Sequence, residues 1–460
     1  AALQSQLVGP AGPVGPAGAA GADGVGGSRD FVASGTLPNG TPVILKADGT
    51  VEAVEIPVTT IATNIPSGSS VIFESGAVLD FNIAFDPNTA NTFVVTCMDA
   101  GNGNAGTAVV GTVTNSVITF GTPVVFNAGD AITNSISFDP NTAGKFIVAF
   151  RDVDNSYYGV VMIGTVSGTS ISFGSKYVFS SVTTSDTHVS FDPYNANKFL
   201  IVYNDGNGKA LIGTVSGTSA TFGSVTTFST ATSTQIELRF HPSQAGKFVV
   251  AYKTNKGYVA IATTSGANIT FGTPVTFTNG SYSYSAAFDP NSSNIVVAFS
   301  DSTNGMFGTA IVGAVSGTTI TFGTKVVHTT AYCGKNKIIF DPYGTAGKFV
   351  ICTNDETTNP SGYQGVIITG TISGTSATFG TASVFDVPTR FPRFAFNPSN
   401  IGEFVVVYSP TYMTNGKAIA GQLGGNLLGT TNLTADNFIG TSTAAYVNGN
   451  TASIVLAGGV

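Results

Sequence analysis

A three-residue motif, Phe-x-Pro, recurs seven times along this 460-residue chain and constrains its fold more than any other feature. It starts at Phe85, Phe138, Phe191, Phe240, Phe288, Phe340 and Phe396. The middle residue is Asp in five copies, His241 in one and Asn397 in another, and the spacing runs from 48 to 56 residues. A second motif, Gly-(Thr/Ser) leading into a strand, starts at Gly68, Gly121, Gly174, Gly223, Gly272, Gly323 and Gly380, always 16 or 17 residues before the Phe. Self-similarity at a period of about 50 residues marks a repeat architecture, in which each unit buries its face against its neighbours.

Each repeat reads as four short strands. In the second repeat, strand a covers residues 134–138, with Ile136 and Phe138 on one face because side chains alternate along a strand. Asp139-Pro140-Asn141 makes a turn: Asp before Pro initiates turns, and Pro cannot donate to a ladder. Strand b follows at 145–150 and strand c at 158–166. Ser167-Gly168-Thr169 supplies a turn that tolerates positive φ, and strand d runs from 171 to 179. Four antiparallel strands at this period match a propeller blade, so the expected fold is all-β, a seven-bladed β-propeller. The ends point to closure. Gly68 to Phe73 reads as a strand d with no a, b and c before it. The last repeat has a (393–396), b (403–408) and c (417–423) but no matching d. The N-terminal strand is expected to complete it, since an unpaired edge exposes a row of backbone donors and acceptors.

Composition agrees. Only 9% of residues are charged while 42% are hydrophobic, and 57 are Gly, so the polar surface is built from Ser, Thr, Asn and Gly. That suits β structure with many tight turns and offers little for helices. The net charge is -7 with no basic cluster, so a nucleic-acid footprint is absent. Cys97, Cys333 and Cys352 form neither a disulfide framework nor a zinc pattern and read as small buried side chains. No apolar run approaches the ~18 residues of a membrane span. No signal peptide is visible and the first residue is not Met, so the expectation is a processed or trimmed start and release without a secretion signal.

The N-terminus differs in kind. Gly9, Gly12, Gly15, Gly18, Gly21, Gly24 and Gly27 hold strict three-residue spacing, with Pro10, Pro13 and Pro16 each directly after a Gly. This is the collagen pattern, in which only Gly fits at the axis of three polyproline II chains. Residues 1–27 are therefore expected to form a short stalk, a rod of about 50–55 Å, that makes the protein a homotrimer. The alternative is a flexible Gly/Pro/Ala linker. Residues 28–64 form a lead-in with a hairpin over 41–56, residues 65–424 the propeller, and residues 425–460 a small β module, incomplete where the chain stops.

The a–b and c–d turns recur in similar form, whereas the b–c loops differ from one another, and variable loops on a rigid scaffold are where binding resides. Candidate binding residues on these loops are Asp99, Asn102, Asp152, Asp154, Tyr157, Asp205, Asn207, Lys253, Asn255, Asp301, Asn304, Asp355 and Tyr412. Their carboxylates, amides and ammonium can hydrogen-bond to sugar hydroxyls, and Tyr can stack on sugar rings; for any one of them an ordinary solvated turn is the competing reading. Gly101 to Gly106 fits G-x-G-x-x-G but opens a strand, so it lacks the phosphate-cradling context. Asp152-Val153-Asp154-Asn155 lacks the twelve-residue loop and closing Glu of a calcium site. His188, His241 and His328 are dispersed, and no triad or carboxylate pair is evident. No cofactor, metal or enzymatic activity is expected. Trp is absent, which counts against the Trp-ending repeats of sialidase-type propellers.

The repeated unit exemplified by Gly164 to Gly174, the Phe-Asp-Pro turns, and the tail Leu433-Thr-Ala-Asp-Asn-Phe-Ile-Gly440 resemble marine phage, especially cyanophage-like, virion structural and tail-fibre proteins. The resemblance spans most of residues 9–460. It implies a fibre or appendage on the virion, partnered by other virion or tail proteins, with host-surface glycans as receptors. Such fibres commonly carry collagen-like segments. Three readings stand: a tail-fibre adhesin, a structural spacer without a receptor, and, on weaker grounds, a polysaccharide-degrading propeller.

Overall fold

A computed structural model describes residues 28–35, 37, 42–53, 58–61, 70–341, 347–357, 363–400, 402–423, 425–428, 438–442 and 451–456. The collagen-like segment, residues 1–27, lies outside the described residues. The chain divides into two compact units, residues 62–425 and residues 1–61 with 426–460.

In the larger unit the repeat is visible strand by strand. The second repeat pairs Lys145–Asp152 with Tyr158–Ser167 on one side and with the end of Val124–Phe138 on the other, all antiparallel. Its outer strand differs from the single run expected over 171–179. It is broken into Ser170–Phe173 and Tyr177–Thr183, each pairing with a different half of the third strand. The chain steps aside at Gly174, where a Cβ would lie 2.7 Å from Thr218 of the next repeat. In the last repeat Arg390–Phe396, Glu403–Ser409 and Gly416–Gln422 pair in order, and the fourth strand is Val71–Glu74, from the start of the unit.

One contact explains why the outer strand docks where it does. Each third strand has a glycine as its first or second residue, beneath an aromatic ring from the outer strand: Phe179 covers Gly159, and Phe73 covers Gly416. A Cβ at Gly416 would sit 2.2 Å from Phe73 Cζ, so only Gly allows the ring to lie on the backbone. His328 replaces the usual Phe over Gly308.

The apolar cores lie between sheets. Ile147, Ala149, Val161 and Ile163 of the second repeat pack against Val189, Phe191, Phe199 and Ile201 of the third. The same pattern joins the last repeat to the first, where Val405, Val407, Ala418 and Ala420 share a core with Phe73, Phe81, Phe85 and Phe93. The Phe-x-Pro turns tie neighbours together with polar bonds. Asp86 is fully buried; its Oδ1 accepts from Asn88 N at 2.9 Å, and its Oδ2 accepts from Gly144 N of the next repeat at 2.7 Å. Asn397 Nδ2 donates to Asn91 Oδ1 at 2.9 Å, again last repeat to first.

Each innermost strand carries a β-bulge at the same level. Two residues oppose one: Asp80 and Phe81 against Cys97, Asp186 and Thr187 against Tyr203, Gln235 and Ile236 against Tyr252, Phe391 and Pro392 against Tyr408, with equivalent shifts in the other inner strands. Asp80, Asp186, Gln235 and Phe391 have φ of 44, 48, 53 and 53°, a strained region for residues with a Cβ. A bulge re-aims the side chains beside it, and these bulges line the central cavity described below.

In the smaller unit, Ser28–Val32, Thr451–Leu456, Phe438–Ser442, Pro42–Leu45 and Val51–Ala53 are neighbours in one sheet, so lead-in and C-terminal strands pair with each other. Phe31, Leu37, Val43 and Val51 form its core.

Candidate functional site

The loop residues singled out by sequence fall into three groups. Asp99, Asp152 and Asp301 end their second strands and are buried. Asp152 accepts from Lys176 Nζ and Asp301 from Lys325 Nζ, both at 2.8 Å, so these acids anchor the loop base. Burial, then the nearby Glu74, raise the pKa of Asp99, whose Oδ1 has no hydrogen-bond partner. Asp205 and Asp355 shape their own turns, accepting from Asn207 N at 3.3 Å and Thr357 N at 2.8 Å. Lys253 is half-buried, while Asn102, Asp154, Asn255, Asn304, Tyr157 and Tyr412 are exposed. Arg151 lies 5.5 Å from the Tyr157 ring centroid. Among the described residues no group of three His, Cys, Asp or Glu side chains could hold a metal ion.

Of these residues Tyr412 joins a cluster that crosses repeats. Its ring is 6.5 Å from Phe391. Lys335 Nζ lies 5.7 Å from the Phe391 centroid and 5.8 Å from that of Tyr282, so one ammonium bridges rings of the fifth and seventh repeats. Tyr282 in turn is 6.3 Å from Tyr332. Arg390 stands 4.2 Å over the Tyr363 ring. Burial raises the pKa of Tyr332, and the charges of Glu356, Tyr282 and Tyr363 add to it. The crescent is preformed: Glu356 N donates to Tyr332 O at 2.9 Å, and Thr389 N to Tyr363 O at 2.7 Å. Tyr282 and Tyr412 are 44% and 58% exposed, so ring surface is available to a ligand.

Lys335 also lines a cavity of about 240 Å³ bounded by inner-strand residues of every repeat. The column three residues before each Phe of the Phe-x-Pro motif holds Asn82, Ser135, His188, Glu237, Ser285, Lys337 and Arg393. Glu237 is its electrostatic centre. Its Oε2 accepts from Ser285 Oγ at 2.9 Å and Ala286 N at 3.2 Å, Arg239 Nη2 stands 3.6 Å away, and Lys337 Nζ is bonded to Oε1. Burial works to raise the Glu237 pKa, but Lys337, Arg239 and His188 outweigh it and hold the carboxyl near 2. Burial brings Lys337 down to about 8 against the pull of Glu237. Burial and Arg239 bring His188 to about 3, so its imidazole is neutral at neutral pH. Its Nε2 then accepts from Arg239 Nη1 at 3.1 Å. The inner-column charges were missed in sequence because they lie in different repeats; aligning the repeats on Phe-x-Pro would have exposed them in one column.

No family model matches the chain, and no curated protein matches it. Solved structures do. Sqt1 from Chaetomium thermophilum is similar at 11% identity over 77% of this chain and 97% of that one, with a TM-score of 0.51. The β-propeller domain of Cps50 (Swd1) from Myceliophteria thermophila is similar at 8% identity over 80% of this chain and all of that one, with a TM-score of 0.52. At such identities the likeness speaks for the fold alone: the chain is all-β and contains a β-propeller.

Proposed function

We propose that the chain is a closed seven-bladed propeller serving as the binding head of a phage tail fibre or virion appendage, and that it attaches to host-surface saccharides through its b–c loop face. The observation that carries this reading is the crescent of Tyr282, Tyr332, Tyr363, Phe391 and Tyr412 with Lys335 and Arg390 among its rings. A saccharide presents C–H faces that stack on aromatic rings and hydroxyls that need donors and acceptors. Preformed rings with a few convergent polar groups supply both. The core shared by first and last repeats and the pairing of Val71–Glu74 with Gly416–Gln422 support closure of the ring.

The collagen-like residues 1–27 would join three such heads. Three weak sites on one stalk then act with an avidity well beyond a single site. The full chain in sedimentation is expected at three times 46.7 kDa, and a version lacking residues 1–27 as a monomer; a monomeric full chain refutes the trimer. For binding, the full chain is applied to a glycan array, and each saccharide retained is retested with Tyr282→Ala and Tyr412→Ala. Loss of retention in both variants supports the site. Absence of any bound saccharide, or unchanged binding by both variants, overturns it and leaves the spacer reading.

A further inference from the structure

The opposite end of the central cavity has a different chemistry. Toward the Phe-x-Pro turns it widens to about 370 Å³, and its charged lining is Arg239, Lys337 and Arg393, with no carboxylate. His188, Asn82 and Ser135 add neutral polar groups, and the remaining wall is apolar, including Phe240, Phe288, Phe340 and Phe394.

The local charges do not balance. The three cations face this end, whereas the carboxylates of the cavity, Asp80, Asp186 and Glu237, line the other, and Glu237 already takes four donors. Arg393 donates to the carbonyls of Pro392 at 3.1 Å and Phe391 at 3.5 Å, not to a carboxylate. The acids that act on it through space are Glu237 and Asp80. The undescribed stretches of this unit, residues 62–69, 342–346, 358–362, 401 and 424, contain no Asp or Glu to supply another. Cations gathered at an end of a cavity that no carboxylate lines are costly, and the protein retains them where a partner of opposite charge completes the site. Arg fits oxyanions because its planar fork donates two parallel hydrogen bonds.

We propose that the waist of the propeller is an anion site, and that Arg239, Lys337 and Arg393 bind a tetrahedral oxyanion, phosphate or sulfate, entering from the Phe-x-Pro face. The anion is either free in solution or a substituent of a saccharide. The site is independent of the aromatic crescent, which belongs to the other face, so either can fail alone.

The test titrates the full chain calorimetrically with sodium phosphate and sodium sulfate, with sodium chloride at matched ionic strength as control. Saturable binding of phosphate or sulfate above the chloride control is expected, and Arg393→Gln should weaken it at least about tenfold, the loss of one charge-assisted contact. Lys348→Gln, which alters an exposed lysine elsewhere, should bind as the parent chain does. Glucose 6-phosphate distinguishes the sources: tighter binding than inorganic phosphate assigns the anion to a sugar, and equal or weaker binding assigns it to the free ion. No saturable binding in the millimolar range, or undiminished binding by Arg393→Gln, overturns the proposal. If Arg393→Gln does not fold, crystals of the parent chain soaked in tungstate decide: density within hydrogen-bond reach of Arg239, Lys337 and Arg393 supports the site, and its absence there refutes it.

Discussion

If Val71–Glu74 is the fourth strand of the last sheet, then the contact between Phe73 and Gly416 holds the ring shut. It can be tested from both sides. Phe73 is 4% exposed, and its ring lies 6.3 Å from Phe81 and 6.1 Å from Phe120. Phe73→Ala removes that ring from a packed core and should cost about 3–5 kcal/mol, a hundredfold or more in the folding equilibrium. Gly416→Ala places a Cβ within 2.2–2.6 Å of three ring carbons of Phe73, and overpacking of this kind costs about 1–3 kcal/mol. The two effects should not add. Once the ring is gone the new methyl has nothing to strike, so the double variant should resemble Phe73→Ala alone, leaving a coupling of roughly 1–3 kcal/mol. Urea unfolding of the full chain followed by circular dichroism measures all three. Phe179→Ala is the reference, because Phe179 covers Gly159 in the same way but sits on a strand continuous with its own repeat. If Phe73→Ala stays within about 1 kcal/mol of the parent while Phe179→Ala loses several, the N-terminal strand is an ornament and closure is refuted.

Other outcomes follow from the cavity and the crescent. Glu237→Gln should destabilise by about 3–5 kcal/mol in urea because it strands Lys337 and Arg239, and adding Lys337→Met should recover a large part; a single-variant cost under about 1 kcal/mol contradicts the assigned centre. Both His188 and Glu237 bind fewer protons folded than unfolded, His188 between about 3 and its ordinary 6.5 and Glu237 between about 2 and its ordinary 4.5. Their contribution is therefore complete above pH 6.5 and is lost as pH falls toward 2. Lys337, brought to about 8 from 10.5, has the same sign and adds stability as pH rises through that upper window. Melting temperature against pH should show both slopes, and His188→Gln should flatten the part between pH 6.5 and 4.5; a flat profile from pH 7 to 4 would contradict burial of a neutral imidazole. Tyr282→Ala and Tyr412→Ala should leave stability within about 0.5 kcal/mol, as exposed positions do, so any loss of binding in them is a loss of contact.

What the sequence determined by itself is local and periodic. Asp-Pro and Ser-Gly-Thr turns act over three or four residues, alternating Val and Phe mark strands over six or eight, and counting their recurrence reveals the four-stranded unit and its strand missing at one end and spare at the other. The loops were legible for the same reason, since they are what lies between such signals. The centre of the molecule was not. Glu237 and Lys337 are 100 residues apart and touch only because their strands meet about one cavity. Tyr282, Lys335 and Phe391 come from three repeats, and each looks like an ordinary strand residue in its own segment. Tertiary structure also gave the motif acids a second role. Asp86 caps its own turn, as its sequence context implies, and also takes the backbone of the next repeat, which no local pattern records. Turn chemistry and alternation are short-ranged and survive in one dimension, whereas charge pairing around an axis depends on which strands come to face one another once the sheets have stacked.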